Sequence, residues 1–456
     1  MSRAVTSSPM VVVTVSAWLS QDGDTPNRDV VEDSIRQVVA DAVAGSFDEY
    51  PRDLDAKVRL RARLVGEPRW RDGNGGGELE LRIGLPAELF PPDQGGLQTL
   101  VTFLAGDVFP SEVSGCRWSR VTVRDVELPP GMRQAAINTF RRGRAYSLEQ
   151  VRAAFALRPG QPLLAFSLKP RVGLEFSVIR RLTLDVLAAG FNIVELDSKH
   201  VALHSAPLSD WLRLGEEAAE AGRRHVTAFS PNFSMPTPQL VDTVGRWLAG
   251  PRGGGPAVVK IDGGLDGLSG LQTVRRVLGE GARQPIITSY PVLRRQLASA
   301  IGPSTWVTML GLSGADVVYP GDRPTFPSER RPVWGSHVDA WAYAARRYDQ
   351  LMAQGWPMPT IAGGVHPGHL HACYELVGPN VAYFLGGAVA LHPEGPAAGA
   401  RLCVSVLRRA AELADRATRA GDDPRRETAR PAPHRGGAHA LSERPARVRA
   451  SGRHLR

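Results

Sequence analysis

Residues 162–176 read PLLAFSLKPRVGLEF. The apolar run LLAFSLKP has the length and bulk of a buried strand, and the following FSVIRRLTLDVLAAG spaces its apolar residues at helical intervals. The same alternation recurs downstream: FNIVELDS precedes LSDWLRLGEEAAEAG, HVTAFSP precedes TPQLVDTVGRWLAG, and AVVKIDG precedes LSGLQTVRRVLG. It continues with QPIITSYP and LRRQLASAI, then with TWVTMLGLSGADVVYPG and a long segment ending DAWAYAARRYDQLMAQG. PTIAGG with PGHLHACYELVG and VAYFLGGA with PAAGARLCVSVLRRAAELA complete eight strand–helix units. Eight such units without a strand-only stretch predict a (β/α)8 TIM barrel over residues 146–415, with an open α/β sheet as the competing arrangement.

Working back from Pro162, the chain changes character. VVVTVSAWL, KVRLRARLV, LELRIGLP and SRVTVRDVELP are strand-like, and DVVEDSIRQVVADAVAGSF has helical spacing. Residues 1–145 are therefore expected to form an α+β domain. MRQAAINTFRRGR and SLEQVRAAFAL lead into the barrel as helices, the second capped by Ser147 with Gln150 as its reciprocal partner. Beyond the barrel, residues 416–456 are expected to be a disordered tail. From Gly421 onward that tail carries nine arginines against four carboxylates, more than half of the net charge of +9, and almost no large apolar residue. Such a segment cannot offset its ordering entropy by burial. It lacks the aromatic platforms of a nucleic-acid-binding arm, so nucleic acid is not an expected partner.

Composition narrows the class further. With 43% hydrophobic and 22% charged residues the chain has an ordinary globular make-up, and no apolar run is long enough to span a membrane. The first residues alternate as a strand does and soon meet acidic side chains, which speaks against a secretory leader. Cys116, Cys373 and Cys403 are scattered and odd in number, so a disulfide framework and a thiolate metal site are not expected, and a reducing cytoplasm is.

Chemistry in a barrel gathers at the C-terminal ends of the strands. The first strand ends with Lys169 and Arg171, which share a side if the strand persists through Pro170. Two cations there would attract an anionic substrate, and a lysine made less basic by a cationic neighbour can carry a proton. The seventh and eighth strands end in the pairs Gly363–Gly364 and Gly386–Gly387, whose backbone N–H groups can face a phosphate or carboxylate. His366, His369 and His371 tempt a metal reading, but Pro367–Gly368 interrupts the element they would share.

LLAFSLKPRVGL, LAGDVF, IAGGVHPG and GGAVALHPEGPAAGA together resemble the large subunit of ribulose-bisphosphate carboxylase, and the HPG and HPEGPAAGA forms are nearer its non-carboxylating form IV relatives. The resemblance spans roughly residues 11–411. It implies a ferredoxin-like N-terminal domain, a barrel, and a head-to-tail homodimer in which each N-terminal domain caps the partner's barrel mouth, so that the site lies at the subunit interface. The family's GxDxxKDDE motif binds Mg²⁺ through a carbamylated lysine, an aspartate and a glutamate. Aligned without a gap on FNIVELDSKHV, its lysine falls on Ser198, its aspartate on His200 and its glutamate on Val201; one position along, Lys199 meets the lysine but Val201 and Ala202 meet the carboxylates. Neither register rebuilds the metal site, so no metal and no cofactor are expected. The family's strand-five histidine falls on Tyr290 and the asparagine of its LAGN segment on Asp107. Its strand-six histidine and loop-six lysine have no counterpart, and SFDEYPRD stands where an ESSTGTW-like segment is found.

These departures argue against carboxylation, which needs a metal to stabilise an enediolate. The expected activity is metal-independent carbon-acid chemistry on a small anionic keto or phosphorylated substrate. Lys169 would carry the proton, with His200, Tyr290 or Lys199 shuttling or stabilising charge. Arg171, Asp107, Gly363, Gly364, His366, Gly386 and Gly387 would bind the substrate. A non-catalytic scaffold of the same fold and a Mg²⁺-dependent enolase or isomerase with other ligands are the alternatives.

Overall fold

The computed structural model describes residues 9–44, 61–105, 111–171, 173–197, 206–222, 225–250, 255–279, 284–290, 292, 301–320, 348–350 and 352–420. Its N-terminal part is an antiparallel sheet built on β1 (Met10–Ser20), flanked by β4 (Gly76–Pro86) and β6 (Cys116–Glu127). The shorter β2 (Arg63–Leu64) and β3 (Arg69–Gly73) pair with β4, and β5 (Glu112–Val113) with β6. Alternation along β1 buries Val11, Val13, Val15, Ala17 and Leu19. Two helices cover that face. Arg28–Ala44 contributes Val31, Ile35, Val38, Val39 and Ala42, spaced as one helical stripe, and Gly96–Ala105 contributes Leu97, Leu100 and Leu104.

The second part is a parallel sheet of eight strands: β7 (Leu163–Ser167), β8 (Ile193–Glu195), β9 (Ala228–Ser230), β10 (Val258–Lys260), β11 (Ile286–Ser289), β12 (Val317–Val318), β13 (Met358–Ala362) and β14 (Ala382–Leu385). Its order runs β10-β11-β12-β13-β14-β7-β8-β9, and a parallel bridge between Asn232 and Lys260 joins the two ends. Lys260 N donates to Pro231 O at 2.8 Å and Phe233 N to Lys260 O at 3.0 Å. The sheet is a closed barrel, and the open-sheet alternative is set aside.

Inward-facing residues at the strand starts, including Leu163, Ala165, Ile193, Ala228, Val258, Ile286, Val317, Met358 and Ala382, form one apolar cluster. Leu148, Val151 and Phe155 join it, so the helix Leu148–Ala154 stops the lower end of the barrel. That helix has the expected capping box: Ser147 Oγ accepts from Gln150 N at 3.1 Å, and Ser147 N donates to Gln150 Oε1 at 2.8 Å. Beside it, Asp316 is fully buried and accepts from Tyr146 N at 2.7 Å, Ile287 N at 2.8 Å and the Arg275 guanidinium at 2.5 Å. Arg141 lies 3.7 Å from Asp316 and donates to Gly311 O and Ala315 O, both at 2.8 Å. Burial lowers the pKa of this guanidinium to about 10 against the opposing pull of Asp316.

Two local expectations are corrected. TWVTMLGLSGADVVYPG is not one strand: Pro303–Leu312 is a helix, and only Val317–Val318 pairs as β12. An all-apolar run of this length reads alike as a buried strand or a buried helix. The last helix, Pro396–Ala420, also runs past residue 415, so the first residues assigned to the tail are helical. Among the described residues no helix is long and apolar enough to cross a membrane.

Candidate active site

Two residues beyond six members of the lower apolar cluster, the same strands present side chains to the upper mouth. Ala165 leads to Ser167, Ile193 to Glu195, Val258 to Lys260, Ile286 to Thr288, Met358 to Thr360, and Ala382 to Phe384. All six of these upper residues line a cavity of about 530 Å³. Lys169, Arg171, Asp197, Tyr290, Tyr319, His366 and both glycine pairs line it as well.

β7 stops at Ser167, so strand alternation is not what brings Lys169 and Arg171 together. Asp197 does so, standing just beyond β8. Lys169 Nζ is 2.5 Å and Arg171 Nε 3.2 Å from its Oδ2. Burial lowers the basicity of Lys169, Asp197 opposes that shift, and Arg171 and Lys260 add to it. Gly386 permits this placement: a Cβ there would lie 3.2 Å from Lys169 Cε and 3.3 Å from Ser167 O. Gly363 and Gly364 turn the chain after β13 with φ of +82° and +66°, a left-handed path open to glycine. Among the described residues, the atoms nearest to a Cβ at Gly386 belong to Lys169 and Ser167.

Deeper in the mouth, Lys260 Nζ lies 2.8 Å from Glu195 Oε1, while Glu195 Oε2 accepts from the Thr288 hydroxyl. The Lys260 ammonium also sits 5.6 Å from the centre of the Tyr290 ring, which stacks on Tyr319 at 5.1 Å. His366 caps the helix Pro367–Val377, with Nδ1 accepting from Gly368 N at 3.2 Å and its ring 3.6 Å from that of His369. His371 instead pairs with Glu375 on the exposed side of that helix, 3.2 Å away, so the three histidines do not converge.

Of the expected site residues, Lys169, Arg171, Tyr290, His366 and the four glycines share this one pocket. Asp107, Lys199 and His200 lie outside the described residues, as does SFDEYPRD. Glu195, Lys260 and Thr288 had been given no role. Their signal was the parity of AVVKIDG and FNIVELDS, where Val258 and Ile193 face the barrel axis and oblige Lys260 and Glu195 to do so.

A hard divalent ion asks for six or more oxygen ligands. Among the described residues the mouth offers two carboxylates, Glu195 bound to Lys260 and Thr288, and Asp197 bound to Lys169 and Arg171. No group of three or more His, Cys, Asp or Glu side chains is arranged among them to hold a metal. Among the described residues these two carboxylates do not by themselves make a set for Mg²⁺, and residues 198–205, onto which the family's ligands would fall, lie outside them.

No family model matches the chain. A curated relative, 3-oxo-isoapionate-4-phosphate decarboxylase of Rhizobium etli, is 23% identical over 406 residues, covering 83% of this chain and 89% of that protein. The dimeric archaeal Rubisco of Hyperthermus butylicus superposes with a TM-score of 0.68 at 18% identity, over 92% of this chain and 95% of that one. A rubisco-like protein (MtnW) of Alicyclobacillus acidocaldarius gives 0.67 at 19% identity, over 92% and 98%. An antiparallel N-terminal sheet joined to a closed parallel barrel is the architecture of the ribulose-bisphosphate carboxylase large chain. In sequence and in fold the chain is similar to RuBisCO and RuBisCO-like proteins.

Proposed function

We propose that this protein is an enzyme of metal-independent carbon-acid chemistry, moving a proton next to the carbonyl of a small anionic keto or phosphorylated substrate. Enolisation, isomerisation and decarboxylation with reprotonation all fit that description. The observation that carries the reading is Lys169, made less basic by burial and held by Asp197 in a pocket that also contains both glycine pairs. A lysine so tuned is poised to take a proton and return it. The relative named as a decarboxylase of a phosphorylated 3-oxo acid supports the reading, because losing CO₂ from such an acid leaves an enolate to protonate.

The test is proton exchange. Phosphorylated and unphosphorylated keto acids are incubated with the protein in D₂O containing a chelator, and loss of the α-proton signal is followed by NMR. Exchange by the wild type is expected; its absence across the panel favours the scaffold. Arg171→Ala should weaken binding of the active substrate by about tenfold or more, since a guanidinium can hold an anionic group by two hydrogen bonds, and should alter turnover less. An unchanged KM would remove Arg171 from substrate binding.

The pH dependence has a definite sign. As a base Lys169 must be neutral, so the rate should rise with pH along a limb set below the ordinary lysine range. Asp197→Asn removes the attraction that favours the ammonium, which moves the limb to still lower pH. A limb that stays in place or moves up would dissociate Lys169 from the proton transfer.

The same reading makes the protein a head-to-tail dimer with the site at its interface, in keeping with the dimeric archaeal Rubisco of the same fold. Leu391, 83% exposed just beyond the Gly387–Ala390 helix at the pocket, is a surface such a cap would cover. Sedimentation should give a dimer at micromolar concentration, and deletion of residues 422–456 should leave it intact. A monomer would rule the cap out. The domain limits 1–145 and 146–415 belong to this proposal, as does a cytoplasmic location, with which three buried free cysteines agree.

A further inference from the structure

In the carboxylase family a divalent ion supplies positive charge at the mouth of the barrel. Among the described residues the donor set does not fit that ion, and an ammonium already stands beside the carboxylate of β8. Lys260 is 5% exposed at the end of β10, bound to Glu195 and set against the face of Tyr290. Glu195, with both oxygens engaged, holds it from β8, two strands away around the barrel. We propose that the Lys260 ammonium is the resident cation of this site, standing in for a divalent ion and receiving the negative charge that develops on a substrate oxygen. The inference rests on the proton-transfer reading of the same pocket and adds to it the group that stabilises the enolate.

The chemistry of the two lysines supports the division of labour. Burial works against charge on Lys260, but Glu195, with help from Asp197 and Asp262, outweighs it and raises its basicity. Lys169 is shifted the other way. Two like groups in one cavity whose environments drive their pKa values apart form a charge stabiliser and a proton carrier. An ammonium has three donors, and Glu195 accepts from one of them. A buried ion pair can also be purely structural, and the experiment must separate the two roles.

Oxalate, a planar dianion resembling an enolate of a keto acid, is titrated into the full-length protein in the presence of chelator and followed by calorimetry. The variants are Lys260→Arg, which keeps the charge, and the double variant Lys260→Met/Glu195→Gln, which removes both charges without stranding a carboxylate. Folding is checked by circular dichroism. Wild type should bind oxalate, Lys260→Arg should retain most of the affinity, and the folded double variant should lose about tenfold or more. Separately, Mn²⁺ followed by electron paramagnetic resonance should show no stoichiometric site in wild type. Failure of wild type to bind oxalate, or equal binding by the double variant, overturns the proposal. So does one Mn²⁺ per chain held at micromolar affinity, an arm that decides the matter even if the double variant fails to fold. Oxalate binding through Lys260 with no substrate exchange would sink the proton-transfer reading and leave the resident cation standing. Full exchange by the double variant would sink only the cation.

Discussion

Lys169→Ala is expected to lower turnover by about 10²–10⁴-fold, the usual contribution of a positioned acid or base. The fold should survive the change, because Asp197 keeps the Arg171 guanidinium as a partner at 3.2 Å. Substrate affinity should change far less, since the glycine pairs and Arg171 would still face the anionic group. Single-turnover exchange measured by NMR on the active keto acid separates these quantities, as a loss confined to kcat marks an interaction made during proton transfer. A raised KM with kcat preserved would recast Lys169 as an anchor for the anion.

The largest loss of stability is expected far from the mouth. Asp316→Ala removes the carboxylate facing two buried guanidiniums, Arg275 at 2.5 Å and Arg141 at 3.7 Å. It also strips the backbone N–H groups of Tyr146 and Ile287 of their acceptor. Breaking a buried pair from one side costs about 3–5 kcal/mol, because the remaining charge stays desolvated. Here two cations would be left facing each other at the junction between the barrel and the segment leading into it. The midpoint of chemical unfolding should fall accordingly, and a variant with a near wild-type midpoint would show that water or main-chain carbonyls suffice for both arginines.

The barrel was legible because strand and helix periods differ, and eight repetitions of that contrast leave few arrangements. The antiparallel domain was legible in VVVTVSAWL, whose alternation matches the buried face of β1. Residues 303–312 misled because TWVTMLGL is apolar all round, and a helix buried on every side shows no polar face. Lys169, Arg171 and the glycine pairs were legible as strand-end residues, yet the link between the two cations was not. It depends on Asp197, contributed by a different strand. Lys260 and Glu195 were hidden for the same kind of reason. A lysine in VVK reads as a strand terminus until the partner carboxylate, 65 positions earlier in the chain, is brought against it. Long-range pairing decides such sites, and local spacing carries no record of it.

The stopper formed by Leu148, Val151 and Phe155 bears on how this molecule exchanges protons with its surroundings. Below the ring of polar residues the barrel axis is filled with apolar side chains, which offer no donor or acceptor for a chain of water. A hydron lifted from a bound molecule has no lower exit, and the mouth through which the molecule entered is its route to bulk solvent. Under the proposed proton transfer, a ligand seated across that mouth would be both reactant and lid. Isotopic wash-out would then be tied to ligand departure, and an occupied site would keep its own proton inventory.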